Sequence, residues 1–286
     1  PKTAVGAGVL LTSVARDTTA GALKATGRVT DMAIDGRGFF ITRDPAGTAN
    51  TYARAGNFSV DSTGNVVDPG GFRLMGYSAK VDPKNSSALV ADETSSLSPV
   101  QIPPTLDLNL TSDQKAALAA VTGATPQEII DGRAAILEPI LNGVKDTYGL
   151  DATSIAALKN SPSLQNGDSI VLQGISVSQK GEVQATYSDN KTYTLRFIAI
   201  ASFPNDGGLK AIGNNRYSET GLSGKASITG AGAPKAGNIM SGTLEQANVD
   251  ITNELMDMIR SQQVYNGNAR MLQTTIETVS RITDKI

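Results

Sequence analysis

The chain has 286 residues, 40% of them hydrophobic and 18% charged, with a formal net charge of −2. That length exceeds the commonest domain size and predicts one large or two to three modest domains, and the charge offers no basic footprint for nucleic acid or an anionic membrane. The absence of Cys and His removes disulfide frameworks, thiolate nucleophiles, Cys- or His-based zinc sites and the imidazole of serine-type triads, so no enzyme, cofactor or metal centre is expected.

No run of about 18 apolar residues is present to span a membrane. The opening stretch, PKTAVGAGVLLTSVARD, lacks a charged segment followed by a long apolar one, so it does not read as a cleavable signal peptide. It starts without a capped element, as though cut from a longer chain.

From Val5 to about Tyr77 the pattern is β. In DMAIDGRGFFITRD, Met32 and Ile34 alternate, Asp35-Gly36-Arg37-Gly38 forms a turn, and Phe39, Phe40 and Ile41 resume the strand, which together predict a hairpin. NFSVDSTGNVVD repeats the device, with Phe58 and Val60, a turn over Asp61–Asn65, then Val66. GFRLMGYSA is a further short strand.

Between Val81 and Gln165 the character changes. A Ser/Asp/Pro-rich stretch ends near Pro104, and TPQEIIDGRAAILEPILNGVKDTYG then carries a helix start. Thr125 is the cap, Pro126 fits the first helical position and Glu128 completes a capping box. Ile129, Ile130, Ile136, Leu137, Ile140, Leu141 and Val144 form an apolar stripe, with Pro139 expected to kink it. Shorter helices are expected at Asp113–Val121 and Thr153–Lys159, and Pro162 marks the exit.

From Asp168 the β pattern returns. Val183, Ala185 and Tyr187 share one face, Asp189-Asn190 turns the chain, and Tyr193, Leu195 and Phe197 share a face of the next strand. Residues Gly221–Gly242, rich in Gly, Ala and Ser, are expected to be mobile or tightly turned.

The last segment is helical. Ile251, Leu255, Met258, Gln262, Tyr265, Ala269, Leu272, Ile276, Val279, Thr283 and Ile286 follow one another at alternating spacings of four and three, the seam of a coiled coil. Nine of these eleven are apolar or aromatic. Asn248 and Asp250 suit the N-cap, Glu254 suits the first turn, and Gly267 is a local weakness. A helix of 36 residues is about 54 Å long, more than a compact β domain of this size can cover. Its apolar seam therefore predicts a helical partner outside this sequence.

Three motifs that could carry chemistry fail. Gly221–Ser227 has a Gly-Lys pair, but a phosphate loop needs Gly where Glu219 stands and Ser or Thr where Ala226 stands. Asp61-Ser62-Thr63-Gly64-Asn65 lacks the distal Glu of a calcium loop and reads as a turn. Asp31 and Asp35 could pair as carboxylates, but both flank the expected turn, where Asp is a good turn former.

TGRVTDMAIDGRGFFITRD, YARAGNFSVDSTGNVVDPGGFRLMGY and GTLEQANVDITNELMDMIRSQQVYNGNARMLQTTIETVSRI closely resemble segments of bacterial flagellar axial proteins, the rod and hook subunits. LMGY, LDLNLTSD and a sizeable insert are most similar to the hook protein. The resemblance covers Val5–Tyr77, roughly Asp168–Ser241 and the whole tail. It implies a subunit that polymerises into a hollow helical tube, exported through the flagellar channel without a cleavable signal to the extracellular hook. It also implies that an N-terminal helix, missing here, pairs with the C-terminal one. Implied partners are copies of the chain itself and neighbouring rod, hook-cap and hook-filament junction proteins, with no nucleic acid and no membrane span. The insert departs from the mostly β outer domain usual in hook proteins.

The expected fold is mainly β with a long C-terminal helix, the β domain being split by an inserted outer domain with helical content. The expected boundaries are 1–80 and 166–242 for the two parts of the β domain, 81–165 for the insert and 243–286 for the assembly helix. Ile251, Leu255, Met258, Tyr265, Leu272, Ile276, Val279 and Ile286 are the expected self-assembly residues. The expected function is that of a hook subunit, a flexible coupling between motor and filament. A distal rod subunit is the alternative within the family. From another class, an extracellular adhesive or carbohydrate-binding β protein with an oligomerising helix remains, although such sites usually show exposed aromatics and the chain has no Trp.

Overall fold

The structure is a computed structural model describing residues 19–47, 49–82, 85–106, 112–121, 126–148, 150, 152–159, 169–234 and 236–283. The chain falls into two compact units, Pro1–Glu245 and Gln246–Ile286.

In the first unit the strands run β1 (Leu23–Ala25), β2 (Met32–Asp35), β3 (Phe39–Arg43), β4 (Asn50–Ala53), β5 (Ser59–Val60), β6 (Val66–Val67), β7 (Arg73–Asp82), β8 (Asn85–Ala91), β9 (Ser98–Pro99) and β10 (Thr105–Leu106). Helices α1 (Ser112–Ala120), α2 (Pro126–Tyr148) and α3 (Ala152–Lys159) follow. The strands resume as β11 (Ile170–Val177), β12 (Glu182–Tyr187), β13 (Thr192–Ser202), β14 (Lys210–Gly213), β15 (Arg216–Ser218), β16 (Ser227–Gly230), β17 (Asn238–Ser241) and β18 (Thr243–Glu245). The second unit holds one helix, α4 (Ile251–Thr283).

The two β stretches build one body. A 14-stranded sheet runs in the order β10-β11-β12-β13-β7-β3-β4-β15-β14, so strands before and after the helices alternate in it. Two small sheets repeat this mixing, with β1 on β18 and β2 on β17. Neither half can close its ladder alone, because an unpaired edge leaves backbone groups unmet. The fold is mainly β, split in sequence but continuous in space, with a long C-terminal helix.

β13 is the centre of the core. Tyr193 and Leu195 lie in one buried cluster with Val183, Ala185 and Tyr187 of β12, as the alternation predicts. Phe197 does not join them. The register with β12 shifts between Val183 and Gln184, and beyond this bulge Ile198 and Ile200 take over that face, while Ala199 and Ala201 face a second cluster with Phe39, Ile41 and Tyr52. An extra residue in one strand reverses which side chains point inward.

The expected β2–β3 hairpin is not formed. β2 pairs with β17 and β3 pairs with β4, β7 and β13, so Asp35–Gly38 is a corner between two sheets. Gly38, at φ +127, packs so closely that a Cβ there would stand 2.4 Å from Ile200 Cγ2. The second expected hairpin does form, Val60 pairing with Val66. The Gly221–Gly242 stretch holds two strands, β16 against β13 and β17 against β2, since small residues suit close approach of backbones.

The helix beginning at Pro126 is present, and Pro139 lies inside it without ending it. The proposed cap Thr125 and the exit at Pro162 lie outside the described residues. The expected boundary at 80/81 falls within β7, which continues as the partner of β8. Leu137 and Leu141 of α2, and Ile155 and Leu158 of α3, share the buried cluster of Tyr187, Tyr193 and Leu195. These side chains of α2 and α3 therefore pack into the same buried cluster as the sheet.

Candidate assembly surface

α4 is set up locally. Asp250 accepts from Thr252 N at 2.9 Å and its carbonyl from Glu254 N at 3.0 Å, as an N-cap does. Glu254 sits in the first turn and Arg281 in the last, each matching the sign of the helix dipole. Four threonine hydroxyls bond back to the helix itself, Thr274 and Thr275 to Met271 O, Thr278 to Thr274 O and Thr283 to Val279 O, at 2.7–2.9 Å. Their donors are met internally, so covering them leaves no hydroxyl hydrogen unpaired.

No residue of α4 is buried. Ile251, Leu255, Met258, Tyr265, Leu272, Ile276 and Val279 are all exposed, from 48% at Leu272 to 75% at Tyr265. Ile286 lies outside the described residues. Covering what these seven still show to water is worth on the order of 10 kcal/mol. The seam is not the only apolar line. Val264, Met271 and Ile282 are also exposed, and their spacings of seven and eleven residues put them on one helix face, as 3.6 residues per turn dictates. The same wheel that exposes the seam shows this line in the sequence.

The rejected motifs are turns. Asp61 Oδ1 accepts from Thr63 N, Thr63 Oγ1 and Asn65 N at 2.7–2.8 Å, which occupies that oxygen within its own loop. Thr220 Oγ1 accepts from Leu222 N and Ser223 N, making Gly221–Ser227 the end of a Ser/Thr turn. Asp35 ends β2 at the corner and is exposed, whereas Asp31 is buried before β2, with Arg28 at 4.0 Å. Among the described residues no cluster of three acidic, His or Cys side chains could hold a metal ion. No described helix is long and apolar enough to cross a membrane.

The β body is tied by two arginines that no motif marks. Arg216 pairs with Asp68 at 3.2 Å, both side chains at most 10% exposed, and stacks 3.6 Å from the Phe72 ring centre. Arg54 donates to the corner carbonyls of Ile34, Gly36 and Gly38 at 2.6–3.0 Å and to Glu245 at 2.6 Å.

A split β body carrying an exposed, doubly apolar helix is the form of a subunit built to be covered by others. Residues 33–115 match the family described as the flagellar hook protein FlgE/F/G D1 domain. Residues 240–284 match the flagellar basal body rod FlgEFG protein C-terminal family. The chain is 28% identical to the flagellar hook protein FlgE of Escherichia coli over 94% of this chain and 85% of that protein. It is 26% identical to FlgE of Salmonella typhimurium over 94% and 85%, and 24% identical to FlgE of Treponema pallidum over 95% and 83%. Both family models and all three relatives are rod or hook proteins of the bacterial flagellum, and together they support a structural subunit of the flagellar hook.

Proposed function

We propose that the chain polymerises through α4 into a hollow helical tube that couples motor to filament and bends as it turns. The observation that carries this is a helix of 33 residues with none buried and with apolar side chains along two lines. One partner helix covers one line, so two lines call for two neighbours, which a closed helical array supplies and an isolated dimer does not. Ile251, Leu255, Met258, Tyr265, Leu272, Ile276 and Val279 form the self-assembly seam.

The layer formed by α1–α3 slides past neighbouring subunits as the tube bends. The subunit acts in the extracellular hook. It meets rod, hook-cap and hook-filament junction proteins at the tube ends, and it carries no catalysis, nucleic acid or membrane span. Negative-stain microscopy of the polymerised full-length protein tests this reading. Curved tubes are expected; straight, stiff tubes would instead favour a distal rod subunit, and soluble monomers at high concentration would count against both.

A further inference from the structure

The ribbon of β1 and β18 carries the chain into and out of the β body, and its two ends are held very differently. At the base, Gly242 O accepts from both Thr26 N at 2.7 Å and Gly27 N at 3.3 Å. Gly27 and Gly242 face each other in the left-handed region, at φ +76 and +70. Thr243 N to Asp31 O and Ser241 Oγ to Val29 O, at 3.2 and 3.0 Å, then fix this base to the body.

The far end has little apolar support. All of β1 is exposed, and a groove of about 550 Å³ separates Ala20 and Glu245 from Phe39, Leu209 and Tyr217 of the body. Among the described residues, the Glu245 carboxylate bridges this groove. Glu245 Oε1 accepts from Gly21 N at 2.9 Å, and Glu245 Oε2 accepts from Arg54 Nε at 2.6 Å. Arg54 spends its other nitrogens on the corner carbonyls of Ile34, Gly36 and Gly38. At this far end Glu245 thus links both strands of the ribbon to the body through its ion pair with Arg54, with side chains 12% and 23% exposed.

We propose that Arg54 and Glu245 form a latch that closes the β1–β18 ribbon onto the body, and that the ribbon swings on the paired glycines Gly27 and Gly242 when the latch opens. A segment whose first strand is exposed throughout and whose far end is held by an ion pair is the kind that opens locally, ahead of the fold as a whole. The glycines make the base the pivot, because only there do both strands adopt backbone angles that carry no side-chain restriction. The latch is a property of the single chain and does not depend on how copies assemble.

Hydrogen exchange on the full chain tests this with two variants. Glu245→Ala leaves Arg54 on its three carbonyls, so the corner stays capped. Amides of Leu23–Ala25 and Leu244 are expected to exchange about tenfold faster, as opening becomes local, whereas Thr243, held to Asp31 O at the base, is not. Thr26 and Gly27, and the amides of β3, β7 and β13, are expected to keep their wild-type rates. Arg54→Met is expected to give the same ribbon opening and also to loosen Gly36–Gly38. Unchanged ribbon exchange in Glu245→Ala overturns the latch. A rise in exchange spread evenly through β3, β7 and β13, or loss of folding in Glu245→Ala, overturns it too, because the pair would then support the fold rather than the ribbon. Opening that extends through Thr26 and Gly27 places the pivot elsewhere and refutes the hinge.

Discussion

Leu141→Ala tests whether the helical layer and the sheet share one core. Leu141 is fully buried in α2, and its cluster includes Tyr187, Tyr193 and Leu195 of the sheet. Truncating it removes three carbons from a close-packed site and leaves a cavity lined by α2 and neighbouring core residues, at a cost of about 3–4 kcal/mol. Spread over a unit of this length, such a loss lowers the melting temperature by on the order of 10 °C. The assay is thermal unfolding followed in parallel by far-ultraviolet circular dichroism, where the difference from wild type reports α1–α3 because α4 is common to both proteins, and by near-ultraviolet tyrosine signal, to which Tyr52, Tyr77, Tyr187, Tyr193 and Tyr217 of the strands contribute in a chain with no Trp. The part of the helical signal that Leu141→Ala alters and the tyrosine signal are expected to shift together by the full amount, since coincident probes mark a single cooperative unit. A helical signal lost early, with the tyrosine transition left at its wild-type midpoint, would refute the shared core and restore a separate domain at 81–165.

Arg216→Ala leaves Asp68 as an uncompensated, nearly buried carboxylate and strips the stack from Phe72, which is expected to cost about 3–5 kcal/mol in chemical denaturation; adding Asp68→Ala is expected to recover part of that loss. Gly38→Ala forces a Cβ against Ile200 at a positive φ, and is expected to destabilise the body while leaving α4 helicity intact, as read by circular dichroism at 222 nm. Burial, followed by the nearby Glu219 carboxylate, pushes the Tyr52 phenol up to about 12. Burial and Asp189 raise Tyr193, and burial and Tyr148 raise Tyr187. The neutral phenols are therefore favoured by folding, so their contribution is complete below about pH 10 and is lost as pH rises through the folded values. Absorbance titration at alkaline pH is expected to show these tyrosines ionising late and together with unfolding; ionisation near pH 10 in a folded chain would contradict it.

What the sequence shows directly is whatever is encoded within one element. The start of α2 is legible because Pro126 fits only a first turn, and the apolar spacing beyond it repeats. The β12–β13 turn is legible because Asn190 can take the positive φ of 58 that the turn requires. The α4 seam is legible for the same reason, spacing alone. What a segment packs against is not written in it. Asp35–Gly38 has the residues of a hairpin turn, and only the ladder from Ile239 and Met240 to Ile34 and Ala33 makes it a corner. The α2 stripe says that a face is buried, but not that Tyr187 and Tyr193 lie in the same core. The place of Phe197 turns on a one-residue bulge that alternation cannot show. Arg54 belongs to no motif, because its partners come from β2, the corner and β18, which meet only in the folded body.

The most direct measurement is whether a single charge in the α4 seam stops polymerisation without touching the β body. Leu272→Asp puts a carboxylate where the assembled tube would bury it, a cost of several kcal/mol repeated at every subunit. Gln273→Glu, one residue away and outside the seam, is the control. Assembly of the full-length protein is scored by electron microscopy, and the β body by its circular dichroism and melting. The expected result is soluble Leu272→Asp monomers with a wild-type β signal, alongside normal tubes from Gln273→Glu. Normal tubes from Leu272→Asp, or a β body that melts together with the loss of assembly, would contradict the assignment of α4 as the separate polymerisation element.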